Sequence, residues 1–315
     1  MNDRSSKARL VMEEVGKVII GKDECIVKVM AAILAGGNVL LEDVPGVGKT
    51  ELAIAFSRAM GLKSNRVQFT PDVMPADITG FTMYQKETGK FVYHPGAVMC
   101  NLLLADEINR TSPKTQSALL EVMEEQNVTI DGVTRAVPRP FIVLATQNPV
   151  GSFGTQRLPE AQMDRFLICV SMGYPQLEDE IAMLKSRHQN RPLSQAAAVI
   201  SGEELLRMQE EAERVFIHDN VYKYMALLAA ASREHELLEL GLSPRGTLAL
   251  GKMARAYAYL MERDYVVPKD VKEAFFDVGV HRIRLNQKAR ISGRKPAEIL
   301  GDVLEKVKAP RLGGM

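Results

Sequence analysis

Eight consecutive residues could grip a polyphosphate: Asp43-Val44-Pro45-Gly46-Val47-Gly48-Lys49-Thr50. Gly46 and Gly48 let the backbone approach an anion and aim successive N–H groups at it. Lys49 can reach β- and γ-phosphates, and Thr50 can offer a hydroxyl to Mg²⁺. A lysine in the first turn of a helix faces the positive end of the dipole, a conflict that a bound polyphosphate removes. Val44, Pro45, Gly46, Val47, Gly48, Lys49, Thr50 and Glu51 are therefore the nucleotide-binding candidates. Asp43 stands where the general loop G-x-x-x-x-G-K-[ST] has its first glycine. Its charge must point away from phosphate, and a left-handed backbone there would carry a cost.

Asp106-Glu107 ends the apolar run Leu102-Leu103-Leu104-Ala105. Beside a phosphate loop, Asp106 suits Mg²⁺, mostly through water, and Glu107 suits orienting an attacking water and taking its proton. The alternative is a capping role, but the next helix has its own start in Ser112 followed by Pro113. Gln147-Asn148-Pro149 follows a second apolar run. An amide from Asn148 could bond both the water and the γ-phosphate, and an Asn-Pro turn is the plainer alternative. Arg245 sits in the first turn of a helix opened by Ser243-Pro244. That points to an anion facing it, either a γ-phosphate across a domain cleft or an ordinary salt-bridge partner.

These candidates need elements to hold them. Val39-Leu40-Leu41, the run before Asp106, residues 141–146 and Leu167-Ile168-Cys169-Val170 read as strands buried on both faces, alternating with helices as in a doubly wound parallel sheet. A helix follows Lys49, and a short strand lies near residues 66–69. Ahead of the loop come helices near 7–17 and 23–34. Between them, Val18-Ile19-Ile20-Gly21 is either a packed loop or a contact for a nucleotide base, which adds Ile20 and Gly21 to the candidates. Residues 70–80 are rich in turn formers, and 81–98 read as an irregular insertion or hairpin. Asp131-Gly132 between β-prone runs predicts a type I′ hairpin over 128–137. From residue 174 no strand run appears and helical periodicity repeats to the end. The expected fold is α/β, a core over 1–173 followed by a small all-helical domain over 174–315.

The 315 residues carry a net charge of +1 with 46% hydrophobic and 25% charged side chains, an ordinary globular balance. That balance gives no overall attraction to nucleic acid or acidic lipid, and no basic stripe is present. No apolar run reaches membrane-spanning length, so no membrane insertion is expected. Cys25, Cys100 and Cys169 are far apart, which suits a reducing cytoplasmic setting and argues against structural zinc.

Taken together, LLEDVPGVGKT, FTPDVMPADITG, LLLADEINRTSPKTQSALLEVMEE, FIVLATQNP, LPEAQMDRF, GLSPRGTLAL and RDYVVPKDV resemble the AAA+ ATPases, and specifically the MoxR family. The match runs over residues 10–274. The resemblance implies ATP and Mg²⁺ as ligands, with Lys49 and Thr50 on phosphate and metal and Asp106 and Glu107 as Walker B. It implies Asn148 as sensor 1, Arg165 as an arginine finger and Arg245 as sensor 2. Without the family, Arg165 reads equally as half of a structural Asp164–Arg165 pair. Residues 81–98 correspond to a helix-2 insertion and 128–137 to a pre-sensor hairpin. The implied assembly is a homo-oligomer, a hexameric ring, working with a partner that carries a von Willebrand factor A domain to remodel proteins or help insert a metal cofactor. A magnesium- or cobalt-chelatase motor subunit and an ATP-binding scaffold with little turnover are the alternatives. Residues 150–153 depart from the family's more acidic, Tyr-containing text.

Overall fold

The computed structural model describes residues 3–43, 46–148, 158–187 and 196–311. Val44, Pro45 and the 150–153 loop lie outside the described residues. Helices α1 (Asp3–Gly16) and α2 (Asp23–Leu34) precede β1 (Val39–Glu42), which leads through the phosphate loop into α3 (Lys49–Ala59). Then come β2 (Ser64–Gln68), the short α4 (Pro75–Thr79), β3 (Gly80–Gln85) and β4 (Lys90–Pro95). β5 (Leu102–Asp106) is followed by a single 3-10 turn, Ile108–Arg110, and α5 (Pro113–Glu125). β6 (Asn127–Ile130), β7 (Val133–Ala136), β8 (Ile142–Gln147), α6 (Glu160–Met163) and β9 (Ile168–Val170) complete the first part.

The second part holds α7 (Leu177–Arg187), α8 (Gly202–Glu213), α9 (Asp219–Arg233) and β10 (Leu238–Leu240). It continues with α10 (Pro244–Leu260), α11 (Pro268–Gly279), β11 (Arg284–Leu285), α12 (Gln287–Ile291) and α13 (Pro296–Lys306).

Five parallel strands form the central sheet in the order β2-β5-β8-β1-β9. Side chains of a strand alternate between faces, and the burial follows that period. Leu102, Leu104, Ile142, Leu144, Val39 and Leu41 enter one core with α1, α2, α3 and the helices of the second part. Leu40, Leu103, Ala105, Val143 and Ala145 enter the other with α5 and Phe166. This arrangement puts the C-terminal ends of β1, β5 and β8 side by side, where ligands of open α/β sheets bind.

Local signals read from the sequence fold as their chemistry dictates. Ser112 caps α5 by accepting from the Thr115 N–H. Asp131 and Gly132 take φ of 52° and 74°, the two positive values that a type I′ turn requires. Two regions differ from expectation, and one that the sequence leaves open between two readings is decided. The turn-rich stretch contains α4, begun by Pro75 at the first helical position. Of the two readings of 81–98 it is the hairpin that holds, antiparallel and paired from Gly80↔Pro95 to Gln85↔Lys90. The helical lid also contains a small antiparallel β10–β11 pair. Strands of three and two residues are too short to show an alternating pattern.

Candidate functional site

Gly46 and Gly48 have φ of 86° and 95°, so the loop adopts a left-handed backbone at the two positions that tolerate it. Lys49 opens α3 and is 7% exposed. Its Nζ donates to the Asp43 carbonyl at 2.7 Å and to Asn148 Oδ1 at 3.2 Å. Burial pushes the Lys49 ammonium below its ordinary pKa, against the opposing pull of the Asp43, Asp106 and Glu107 carboxylates. Asp43 is not left-handed. Its carboxylate accepts from Ser171 Oγ at 2.9 Å and from the Gly173 N–H at 2.6 Å, tying β1 to the chain after β9. The position that departs from the general glycine pattern therefore braces the loop from behind.

Asp106, 8% exposed, accepts from Thr146 Oγ1 at 2.6 Å and from Arg66 Nη2 at 2.7 Å. Glu107 leaves the strand in a left-handed conformation with φ 57°, a strain of about 1–3 kcal/mol for a residue with a side chain. Its N–H is satisfied by Thr146 Oγ1 at 2.9 Å. One oxygen of its carboxylate accepts from Asn148 Nδ2 at 2.7 Å. The other accepts from Gln68 Nε2 at 2.9 Å and pairs with Arg110 Nη1 at 3.1 Å. Lys49, Asn148 and Glu107 thus form one hydrogen-bonded chain across the ends of β1, β8 and β5.

Arg66, Gln68 and Arg110 were absent from the sequence candidates. Arg66 and Gln68 sit two apart on β2, so they share a face, and β2 pairs with β5 in the register Gln68↔Asp106. Arg66 and Gln68 flank the apolar Val67, and that short alternation was the available signal. Arg110 lies three residues after Glu107, on the 3-10 turn.

Beside the loop lies a cleft of about 450 Å³ lined by Ile20, Gly48 and Glu51 together with Tyr174, Met183 and Leu184. That volume suits a small-molecule ligand, and its apolar wall suits a base. Ile20 faces this cleft. Gly21 is not among the residues that line it, and a Cβ built there would stand 2.0 Å from the Asp179 carboxylate. Thr50 and Asp106 supply hard oxygen donors of the kind Mg²⁺ takes. Among the described residues no group of three or more His, Cys, Asp or Glu gathers. Such a donor set fits an ion held mainly by phosphates and water.

Arg165 and Arg245 come together with each other and not with Lys49. Arg165 pairs with Glu124 Oε2 at 3.0 Å and donates to the Leu120 carbonyl at 3.0 Å. Arg245 reaches Glu124 Oε1 at 2.5 Å. Glu124 is thus an anion facing the cation at the head of α10, the salt-bridge partner that the sequence allowed as one of two readings. The two guanidinium side chains stay 34% and 44% exposed, with one positive charge left over after Glu124.

Comparison with known proteins bears on the family and the fold. Residues 38–168 match the ATPase family associated with various cellular activities (AAA), and 230–303 match the AAA lid domain. The chain is 44% identical to the Bacillus subtilis protein YeaC over 95% of this chain and 93% of that one. It is 40% identical to Chaperone MoxR1 of Mycobacterium tuberculosis, over 96% of this chain and 82% of that one. A crystal structure from Cytophaga hutchinsonii assigned as an ATPase superposes with a TM-score of 0.91 at 37% identity, covering 98% of this chain and 96% of the other. With a parallel sheet, a phosphate loop at its carboxyl edge and an AAA lid domain after it, this chain belongs to the MoxR family of AAA+ ATPases.

Proposed function

We propose that the chain is a Mg²⁺-dependent ATP hydrolase of the MoxR chaperone-like type, dividing near residue 173 into a nucleotide-binding core and a lid. It works as a cytoplasmic ring oligomer, hexameric by family analogy, that remodels or activates a partner bearing a von Willebrand factor A domain. The observation that carries the hydrolytic reading is the Lys49–Asn148–Glu107 hydrogen-bonded chain. It joins a phosphate-binding cation to a carboxylate through a neutral amide.

In this reading the N–H groups of the loop and Lys49 hold the β- and γ-phosphates, Ile20 and Glu51 border the base and sugar, and Thr50 and Asp106 hold the metal. Mg²⁺ supplies charge neutralisation on the phosphate oxygens. Glu107 orients a water and takes its proton as the oxygen attacks the γ-phosphorus; ADP leaves with the β–γ bridging oxygen. Asn148 holds Glu107 in place. Arg165 and Arg245, half-exposed around one carboxylate, serve the site of a neighbouring copy, where charge on the leaving oxygens needs a cation from outside.

A second reading, an ATP-binding scaffold with little turnover, draws on the same acids: Asp106 is engaged by Arg66, and Glu107 by Gln68 and Arg110. Phosphate release from MgATP, measured with and without the partner, separates the two. Turnover abolished by Lys49→Ala supports hydrolysis. Stoichiometric nucleotide retention with no release in either condition supports the scaffold.

A further inference from the structure

The side chain of Arg282, just beyond α11, is 2% exposed. A buried guanidinium persists only where its donors are matched. Here Nε donates to Asp164 Oδ1 at 2.7 Å. Nη2 donates to the carbonyls of Asp164 at 3.1 Å and Phe166 at 2.5 Å, and Nη1 to those of Leu167 at 2.9 Å and Val278 at 2.8 Å. Three of these carbonyls, those of 164, 166 and 167, bracket Arg165. The same Asp164 carboxylate accepts from Ser243 Oγ at 3.1 Å, and Ser243 is the residue that caps α10 two positions before Arg245. The stem of Arg282 also packs on α10, since a Cβ added to Gly246 would stand 2.9 Å from its Cδ. One side chain of the lid therefore touches the segment that carries Arg165 and the helix turn that carries Arg245.

We propose that Arg282 is a positioning residue for ATP hydrolysis: it locks Asp164, and through it Arg165 and Arg245, into one unit that is presented to the nucleotide of an adjoining copy. This rests on the reading that the two arginines act in trans. Packing supplies the other half of the clamp. Phe166 is fully buried in the core on the α5 face of the sheet, so the segment cannot follow Arg165 outward. Arg284 adds an outer fastening to Glu160 at 2.9 Å. A displacement of the arginines by about 1 Å can cost about 10²-fold in rate. An Arg282 defect should therefore fall on the neighbour's turnover and spare nucleotide binding in its own chain.

Mixed oligomers test this. Arg282→Gln chains keep their own phosphate loop and acids but present displaced arginines. Glu107→Gln chains lack the general base but present sound ones. Arg282→Gln alone should bind MgATP with wild-type affinity and lose turnover by about tenfold or more. Mixed before assembly with Glu107→Gln, which is itself inactive, it should regain several-fold activity above the sum of the two separate preparations. A mixture of Arg165→Ala with Glu107→Gln is the control. Regain in the control without regain in the Arg282→Gln mixture overturns the positioning role. No regain in the control overturns action in trans and this proposal with it. If Arg282→Gln does not fold, Asp164→Asn, which keeps the size of the partner, goes through the same mixtures; wild-type turnover or absent regain in that variant overturns the proposal.

Discussion

Asn148 donates its side-chain amide to Glu107 at 2.7 Å while its oxygen accepts from Lys49 at 3.2 Å, so a single neutral residue ties the buried ammonium to the carboxylate. Asn148→Ala removes a preorganised donor and leaves the loop itself intact. Turnover should fall by about 10²-fold, with KM for ATP changed by no more than about threefold. Steady-state kinetics check this; a rise in KM with unaltered kcat contradicts it.

Asp43 holds the Ser171 hydroxyl and the Gly173 N–H on one buried carboxylate. Asp43→Ala leaves both donors without that acceptor, and urea unfolding should show a loss of about 1–3 kcal/mol. Stability within about 0.5 kcal/mol of wild type contradicts the bracing role.

Arg245 shares the Glu124 carboxylate with Arg165. Arg245→Ala should therefore reduce turnover by about tenfold or more while ATP affinity, measured by calorimetry on the non-hydrolysing Glu107→Gln background, stays unchanged. A tenfold loss of affinity puts Arg245 on its own chain's nucleotide.

His281 lies in the seam between lid and core, its Nε2 3.2 Å from the Phe166 carbonyl and beside the Arg282 guanidinium. Desolvation and that neighbouring cation hold its pKa well below the ordinary histidine value of about 6.5. Between the folded pKa and about 6.5 the unfolded chain binds the extra proton, so stability rises with pH there. The contribution is complete above about pH 6.5 and is lost as pH falls below it. Melting temperature should drop on acidification from pH 7 to pH 5, and His281→Gln should flatten that dependence. An equal slope in the variant contradicts the assignment.

Much of this architecture was legible because it is local. Leu102-Leu103-Leu104-Ala105 and residues 142–145 are apolar at every position, as strands covered on both faces must be. The Gly46, Gly48 and Lys49 pattern, the Ser112-Pro113 cap and the Asp131-Gly132 turn each follow from the conformational range of one or two residues. What escaped was tertiary. Arg165 and Arg245 meet on Glu124 across eighty residues of chain, and no spacing rule carries that. Arg66 and Gln68 gain meaning only once β2 is paired with β5 in register. Gly21 and Ile20 are adjacent in the chain, and of the two it is Ile20 that lines the cleft beside the loop.

Glu107→Gln puts the central claim to its most direct test, with MgATP binding and phosphate release measured on the same preparation. The substitution keeps size and one acceptor oxygen but removes the base. Binding should stay within a few-fold of wild type while release falls by about 10²-fold or more. Release at the wild-type rate, or binding and release lost together, contradicts the assignment of this carboxylate to the attacking water.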